Sequence, residues 1–394
     1  MNRTYIHALG IVNALGDDVN SVRTGLLNGS MSGIRIRNDL ISGRTVHVGE
    51  VICELPELES EFAAYASRNN RMLTAAVLQI HAQIQAVTAR YGKHRIGIVL
   101  GTSTSGIAEG ERGLEQYLRT GKFPADFDYQ QQQEISSPSQ YLRHFLGVGG
   151  PAWTVSTACT SSAKAFSSAR RLLNSGACDA VVVGGVDTLC RLTLNGFGVL
   201  ESLSDGRCNP FSAHRDGINI GEGAAIFLVS RDPGPVCLLG IGETSDAFHI
   251  SGPDPEGVGA ELAMRKALAD AGIAAGDVDY LNLHGTATVD NDQMESHAVE
   301  RVFGASVPCS STKPMVGHML GAAGATELAF CWMLLSSSRP TKLPPHIWDQ
   351  ARDPGLSQLN LYPGDGSERE CRLTASNSFA FGGNNISIIL GRES

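Results

Sequence analysis

Charged residues are scarce in this sequence, and the patterns typical of membrane or nucleic-acid proteins are absent. Only 18% of the 394 residues are charged, and lysine and arginine form no long run. The formal net charge of −9 gives no general attraction for nucleic acid or for an anionic lipid surface. No apolar run approaches the roughly 20 residues that a membrane-spanning helix needs. We therefore expect neither nucleic-acid binding nor membrane insertion.

The cysteines also lack the spacing of a disulfide framework or a structural zinc site. There are nine of them, an odd number, and no CxxC pair occurs. The opening residues, MNRTYIHALGIVNALG, have no basic region, apolar core and cleavage site of a secretory signal, and they predict a first strand and turn. Together these features predict a cytoplasmic protein with reduced thiols.

What the sequence does contain is the pattern of a layered α/β enzyme. Short β-rich runs beginning at Arg95, Asp179 and Val278 end in glycine, serine or threonine. The helical segments between them are small and apolar on more than one face, which is typical of helices buried between other layers. The turn-rich join SRDPGPV from Ser230 is too short for a flexible linker, so we expect two halves that share one core.

Cys159 is the strongest candidate for a nucleophile. It lies in VSTACTSSAKA, where a β-like run gives way to small residues that begin a helix. A thiol at a helix N-terminus lies near unpaired backbone amides and the positive end of the helix dipole, which favour the thiolate and can hold an oxyanion. The alternative, a small buried hydrophobic residue, is the better interpretation of the other eight cysteines.

Two histidines have similar settings. His284 ends an apolar strand in YLNLHGTATVDND, and His318 lies in SSTKPMVGHMLGAAGATE, after a strand and before a helix of small residues. Either could be a hydrogen-bonded core histidine when taken alone. Three strand-end settings, counting Cys159, instead predict convergence at one site.

These segments resemble the signatures of the elongating β-ketoacyl-acyl carrier protein synthases. The cysteine segment, HGTATVDND, STKPMVGHMLGAAGATE and NSFAFGGNN from Asn377 occur in the family's order, and the likeness is weaker before about Ile96. The resemblance implies a thiolase-like fold of two pseudo-equivalent halves, residues 1–231 and 232–394, in five alternating helix and sheet layers. It also implies a homodimer that pairs through a strand of each first half.

The resemblance implies a Cys, His, His catalytic set at Cys159, His284 and His318. A malonyl-type extender would lose carbon dioxide and attack the acyl group on Cys159. Lys313 matches the family's active-site lysine, and the amides of Cys159 and Phe381 would form the oxyanion hole. A thiolase would carry a second cysteine where NSFAFGGNN stands, so carbanion formation by a cysteine base is not supported.

Further roles follow only from the resemblance. Thr286 and Thr288 would bind the pantetheine arm, with Asp292 and Glu295 ordering the site, unless these are ordinary turn and helix-start residues. Phe379 and Phe381 resemble the gate over the cysteine, although Ala380 replaces a common glycine and Asn384 a common threonine. Arg68 and Arg71 would dock an acidic carrier protein or form a solvated basic face. Glu327 matches a buried family glutamate that helps bind a structural sodium or potassium ion, together with Asn282, Ser376 and Asn377.

The expected reaction needs no cofactor beyond the phosphopantetheine that the acyl carrier protein brings. It belongs to fatty acid or polyketide-like, for example polyene, biosynthesis. Two alternatives stay open: a chain-length-factor-like partner in a heterodimeric synthase, and a cysteine acyl hydrolase. The complete Cys, His, His and Lys set argues against the first, and the second histidine and the gate argue against the second. Acyl length, starter, extender and carrier are not encoded in any motif.

Overall fold

The computed structural model describes residues 3–337 and 339–393. The strands are β1 (Thr4–Asn13), β2 (Ile34–Ile41), β3 (Arg44–Gly49), β4 (Ile96–Gly101), β5 (Ala152–Val155), β6 (Ala180–Asp187), β7 (Ile220–Gly221), β8 (Gly223–Ser230), β9 (Val236–Ser245), β10 (Tyr280–Asn282), β11 (Pro308–Ser310), β12 (Asn360–Leu361), β13 (Leu373–Ala380) and β14 (Asn384–Arg392).

The helices are α1 (Val19–Leu27), α2 (Arg68–Leu78), α3 (His81–Tyr91), α4 (Ile107–Thr120), α5 (Ser137–Phe145), α6 (Ser161–Asn174), α7 (Arg191–Val199), α8 (Val258–Ala271), α9 (Val289–Phe303), α10 (Lys313–Val316) and α11 (Ala323–Leu335). Within the described ranges, none of them has the length and apolar character to cross a membrane.

The same strand order occurs twice along the main sheet. One set runs β5-β4-β6-β8-β1, and the other runs β11-β10-β13-β14-β9. In both sets the first two pairings are parallel and the next two antiparallel. β1 and β9 pair over Thr4–Ile6 and join the two sets, while β12 extends the second. The two halves are therefore pseudo-equivalent in topology.

Alternate residues of the strands face different helices, which builds the layers. Val181 and Val183 of β6 pack in the core that contains α6 and α11, whereas Ala180 and Val182 pack in the core that contains α2 and α5. Helices α8 and α9 cover the other face of the second set. The predicted five-layered α/β fold is confirmed. The division at residue 231 falls in the turn between β8 and β9 and stays a prediction.

The central helices lie close to the sheet and to each other because small residues meet there. A Cβ atom on Gly101 would lie 2.2 Å from the amide nitrogen of Ser162, and a Cβ atom on Gly185 would lie 2.5 Å from the Cβ of Ser162. The hydroxyl of Ser162 also accepts a hydrogen bond of 2.8 Å from the amide of Ala325 on α11. The sequence of small residues after Cys159 thus fixes the position of α6.

Candidate active site

Three strand ends bring Cys159, His284 and His318 together. Cys159 follows β5, His284 follows β10, and His318 follows β11 and the short α10. Sγ of Cys159 lies 3.0 Å from Nε2 of His318, and the two imidazole rings stand edge to face with centroids 5.3 Å apart. All three side chains are buried. The structure therefore has the convergence that the strand-end settings predict.

The backbone near each of these residues is left-handed at a residue other than glycine. Ala158 has a φ of 50°, Ala287 of 68° and Leu320 of 47°. Such conformations cost roughly 1–3 kcal/mol each and persist only where the surroundings hold them. Here they turn Cys159 and His318 away from the regular elements and toward a common space.

Burial opposes the expected ionisation of Cys159. The residue precedes Thr160, the cap of α6, so the helix terminus favours the thiolate as predicted. Burial nevertheless raises the pKa of the thiol to about 12, although the Lys313 ammonium acts to lower it. In this closed arrangement the loss of hydration acts against the helix terminus and outweighs it.

Both histidines are neutral at neutral pH. Burial lowers the pKa of His284 and of His318 well below the ordinary 6.5, and the charge of Lys313 adds to the effect. Nζ of Lys313 lies 3.4 Å from Nδ1 of His284, which favours the tautomer with its proton on Nε2. Within the described chain, Nδ1 of His318 has no hydrogen-bond partner, so no such contact fixes its tautomer.

Lys313 forms a buried ion pair with Glu327. Its Nζ lies 2.5 Å from Oε1 of Glu327 and also donates to the carbonyl of His284. The two side chains are only 2% and 3% exposed, so neither is a surface charge. Burial raises the pKa of Glu327, and the lysine acts to lower it. The pair places a fixed positive charge behind His284.

Several buried oxygens near this ion pair lack a donor. Oδ1 of Asn282, Oε2 of Glu327 and Oγ of Ser376 have no hydrogen-bond partner among the described residues. Asn282 and Ser376 are register partners on β10 and β13, so their side chains share one face. Oxygen ligands of this kind fit a hard monovalent cation. The side chain of Asn377 differs from the prediction, because alternation turns it to the other face, where Nδ2 lies 3.5 Å from Oε1 of Glu295.

Asp292 and Glu295 support the main chain around His284. Glu295 accepts hydrogen bonds of 2.8 and 2.7 Å from the amides of His284 and Gly285, and Asp292 accepts one of 2.7 Å from the amide of Phe211. Both are fully buried, with pKa values that burial raises to about 6 for Asp292 and about 7 for Glu295. They are not helix-start surface charges, and neither lines the cavity, so direct substrate contact is not supported.

A cavity of about 310 Å³ leads from the three converging residues to solvent. Thr286, Thr288 and Phe379 line it as predicted, and the two threonine hydroxyls are 2.9 Å apart. The two hydroxyls meet across Ala287, whose backbone is left-handed with a φ of 68°. This hydroxyl pair offers hydrogen bonds to a polar substrate arm.

Phe381 stands at the cavity wall in the turn of residues 381–383 between β13 and β14. Its ring centroid is 5.5 Å from that of Phe197 on α7. The amide of Gly382 donates to the carbonyl of Ile250 at 2.9 Å, and the amide of Asp246 donates to the carbonyl of Gly383 at 2.8 Å. These contacts join the turn to the loop that follows β9.

Arg68 and Arg71 both bind other parts of the chain. Arg68 pairs with the buried Glu222 and donates to the carbonyl of Val51, while Arg71 donates to main-chain carbonyls and pairs with the exposed Glu57. Their side chains are therefore not the solvated basic face of the alternative interpretation. Carrier docking at these residues stays a prediction.

Sequence reasoning missed two residues that hold the site in place. Asp187, at the end of β6, accepts hydrogen bonds from the amides of Ser103 and Ala322, which ties the end of β4 to the N-cap of α11. The carbonyl of Asn219 accepts the amide of His318 at 2.6 Å. A carboxylate directly after the all-apolar run AVVVGGV was the available signal for Asp187. Asn219 acts through its backbone and left no sequence signal.

Comparison with known proteins agrees with this architecture. The family model "Beta-ketoacyl synthase, N-terminal domain" matches residues 8–233, and "Beta-ketoacyl synthase, C-terminal domain" matches residues 236–347. Nodulation protein E of Rhizobium meliloti (strain 1021) is 32% identical, with 97% of both chains covered. The 3-oxoacyl-[acyl-carrier-protein] synthase 2 of Coxiella burnetii is 30% identical, with 99% of this chain and 98% of that one covered.

A solved structure is similar over the whole chain. It is described as a ketosynthase, ApeO, in complex with its chain length factor, ApeC, from Xenorhabdus doucetiae. The identity is 44% and the TM-score 0.94, with 100% of this chain and 98% of that chain covered. The fold and the buried thiol and imidazoles define an acyl-transferring condensing enzyme. The chain belongs to the β-ketoacyl synthase family, and the predicted condensing activity is confirmed at that level.

Proposed function

We propose that Cys159 carries the acyl group during condensation. Its sulfur attacks the carbonyl carbon of an acyl thioester on a carrier protein, and its proton passes to Nε2 of His318. The amides of Cys159 and Phe381 stabilise the oxyanion. The intermediate then collapses, and the carrier leaves as a thiol with that proton. The 3.0 Å contact between Sγ and Nε2 is the observation that carries this proposal.

In the second half-reaction His284 and His318 serve as hydrogen-bond donors. A malonyl thioester loses carbon dioxide, and the electron pair of the broken bond forms an enolate held by the two ring N–H groups. The carbanion attacks the acyl carbonyl, and the sulfur of Cys159 leaves and regains a proton from water. His318 must accept a proton first and donate one later, which its unconstrained tautomer allows.

The chemistry uses the phosphopantetheine of the carrier and no other cofactor. Thr286 and Thr288 would bind that arm, and Phe379 and Phe381 would shape and gate the cavity. Asn282, Glu327 and Ser376 would hold a sodium or potassium ion through the three oxygens that lack a donor. Free thiols at all nine cysteines fit the reducing cytoplasmic compartment that the composition predicts.

We further propose that the partner is a related subunit of chain-length-factor type, in a polyketide-like pathway. The similar solved complex pairs a ketosynthase with such a factor. β5 ends the main sheet, so its outer edge is unpaired within the described chain, and Trp153 on it is 36% exposed. An unpaired edge with an exposed aromatic residue fits pairing with a second subunit. The homodimer is the alternative.

Intact-mass spectrometry tests the proposal. Wild type and Cys159→Ala are incubated with acyl carrier protein donors and then with malonyl carrier protein, alone and with a candidate partner subunit. We expect only wild type to gain the acyl mass and then to release a β-ketoacyl carrier. Loading followed by hydrolysis alone would favour the acyl hydrolase. Failure to load under every condition would favour the non-condensing subunit.

A further inference from the structure

Lys164 is a half-buried lysine that the proposed chemistry does not use. It lies in the first turn of α6, the helix that begins just after Cys159. Its Nζ donates a hydrogen bond of 2.7 Å to Oδ1 of Asn384. Asn384 is the first residue of β14 and pairs with Ala380 across the turn that carries Phe381. The contact therefore joins the helix of the nucleophile to the base of the gate turn.

The main-chain hydrogen bonds of the two glycines in this turn lead to a different kind of element. Gly382 and Gly383 are bonded to Ile250 and Asp246 in the loop after β9, and within that loop Phe248 is 60% and Ile250 81% exposed. α6, in contrast, lies in the buried central layer. A loop with exposed apolar side chains and few packed contacts moves more easily than a packed helix. Lys164 thus joins the base of the turn to a helix of the buried central layer, in addition to the pairing of Asn384 with Ala380 on β13 and Ser245 on β9.

We propose that Lys164 is a positioning residue that fixes the base of the gate turn at Asn384 and so holds Phe381 closed over Cys159. The proposal rests on the gating role of Phe381 in the proposed function. Motion of the gate is then confined to residues 381–383, where Gly382 and Gly383 have φ values of 81° and 74°. A threonine at position 384 would place its hydroxyl one bond closer to the main chain than Oδ1 of Asn384.

Alkylation of Cys159 by iodoacetamide tests the proposal without any carrier substrate. Lys164→Met keeps the length of the side chain and removes the donor, Asn384→Thr removes the acceptor, and Lys164→Arg keeps a charged donor. Lys93→Met, at an exposed lysine, is the matched control. Loss of one charge-assisted hydrogen bond is expected to speed alkylation about tenfold. Peptide mapping confirms that Cys159 is the labelled thiol.

A double variant, and separate rates for acyl loading and condensation, distinguish an effect on the gate from a general loss of stability. In the double variant Lys164→Met/Asn384→Thr, Cys159 should be alkylated no faster than in either single variant, because both changes remove the same hydrogen bond. Acyl loading should speed up in these variants, while condensation by the preloaded enzyme keeps its wild-type rate. Lys164→Arg should restore wild-type alkylation. Wild-type alkylation rates in Lys164→Met and Asn384→Thr, at unchanged melting temperatures, would overturn the proposal even if wild type condenses normally. If wild type fails to condense, the proposed function fails, yet the alkylation rates still test the contact.

Discussion

Burial acts in opposite directions on the ionisable groups around Cys159. It raises the pKa of the thiol to about 12 and that of Glu295 to about 7, and it lowers the pKa values of His284 and His318 well below 6.5. The positive charge among these buried groups is the ammonium of Lys313, which is itself paired with Glu327. The catalytic properties of these residues depend on a polar network that excludes water.

Lys313→Met is expected to lower the free energy of unfolding by about 3–5 kcal/mol, because it leaves the carboxyl of Glu327 in the core without its partner. Decarboxylation of malonyl carrier protein should also be lost, since His284 loses the donor at Nδ1. Urea unfolding and carbon dioxide release measure the two effects. The double variant Lys313→Met/Glu327→Leu should recover most of the stability and none of the activity. Equal stability of the single and double variants would contradict the ion-pair argument.

The neutral histidines make stability depend on pH. Their folded pKa values lie below the unfolded value of 6.5, so the unfolded chain binds protons first as the pH falls, and the stability that these two neutral histidines contribute is lost below about pH 6.5. Each histidine should cost about 2 kcal/mol between pH 7.5 and pH 5. His284→Asn should therefore lose about 2 kcal/mol less than wild type over this range in urea unfolding. His94→Asn, at an exposed position, serves as the control and should lose as much as wild type.

At the scale of elements, the short β7 supports the segment that carries His318. The amide of Gly221 donates to the carbonyl of His318 at 2.9 Å, and Gly317 packs directly against Gly221. Gly317 has a φ of 74°, and a Cβ there would lie 2.8 Å from the Cα of Gly221. Two backbones can meet this closely only where both residues are glycine.

Gly317→Ala is therefore expected to destabilise the protein and to displace His318. Gly121→Ala is a matched control, since Gly121 has a φ of 75° and a methyl group there would have no atom of the described residues within 4 Å. The control should cost only the roughly 1–2 kcal/mol of a left-handed alanine. Gly317→Ala should cost at least about 1 kcal/mol more and reduce acyl loading, as unfolding and intact-mass measurements would show. Equal effects of the two changes would contradict the packing argument.

At the scale of the whole molecule, the outer edge of β5, unpaired within the described chain, predicts subunit association. Trp153→Lys should weaken that association roughly tenfold or more, because a lysine on an edge strand disfavours pairing and a large aromatic contact is lost. Sedimentation over a range of concentrations measures the dissociation constant. Phe248→Lys, at an exposed aromatic residue of the loop after β9, is the control and should leave it unchanged. Association that survives Trp153→Lys would place the interface elsewhere.

Much of this architecture can be predicted from the sequence, because many of its features depend only on a short segment of the chain. The elbow at Cys159, the strand ends at His284 and His318 and the small residues of α6 each follow from a short segment. The contacts of Arg68, Asp187 and Lys164 join residues far apart in the chain, and no periodicity encodes such pairs. The segment around Cys159 reveals the helix terminus, whereas the burial that raises the pKa of its thiol depends on every layer around it.

The repeated strand order carries a consequence for the history of the gene. In each set the segment after the third strand in chain order leads into a central helix, and these two segments bear Cys159 and His318. An ancestor with one such unit would have assembled as a symmetric pair with two identical loops facing each other. Duplication and fusion of such a unit would place both loops in one chain and let them diverge, so that one bears a thiol and the other an imidazole.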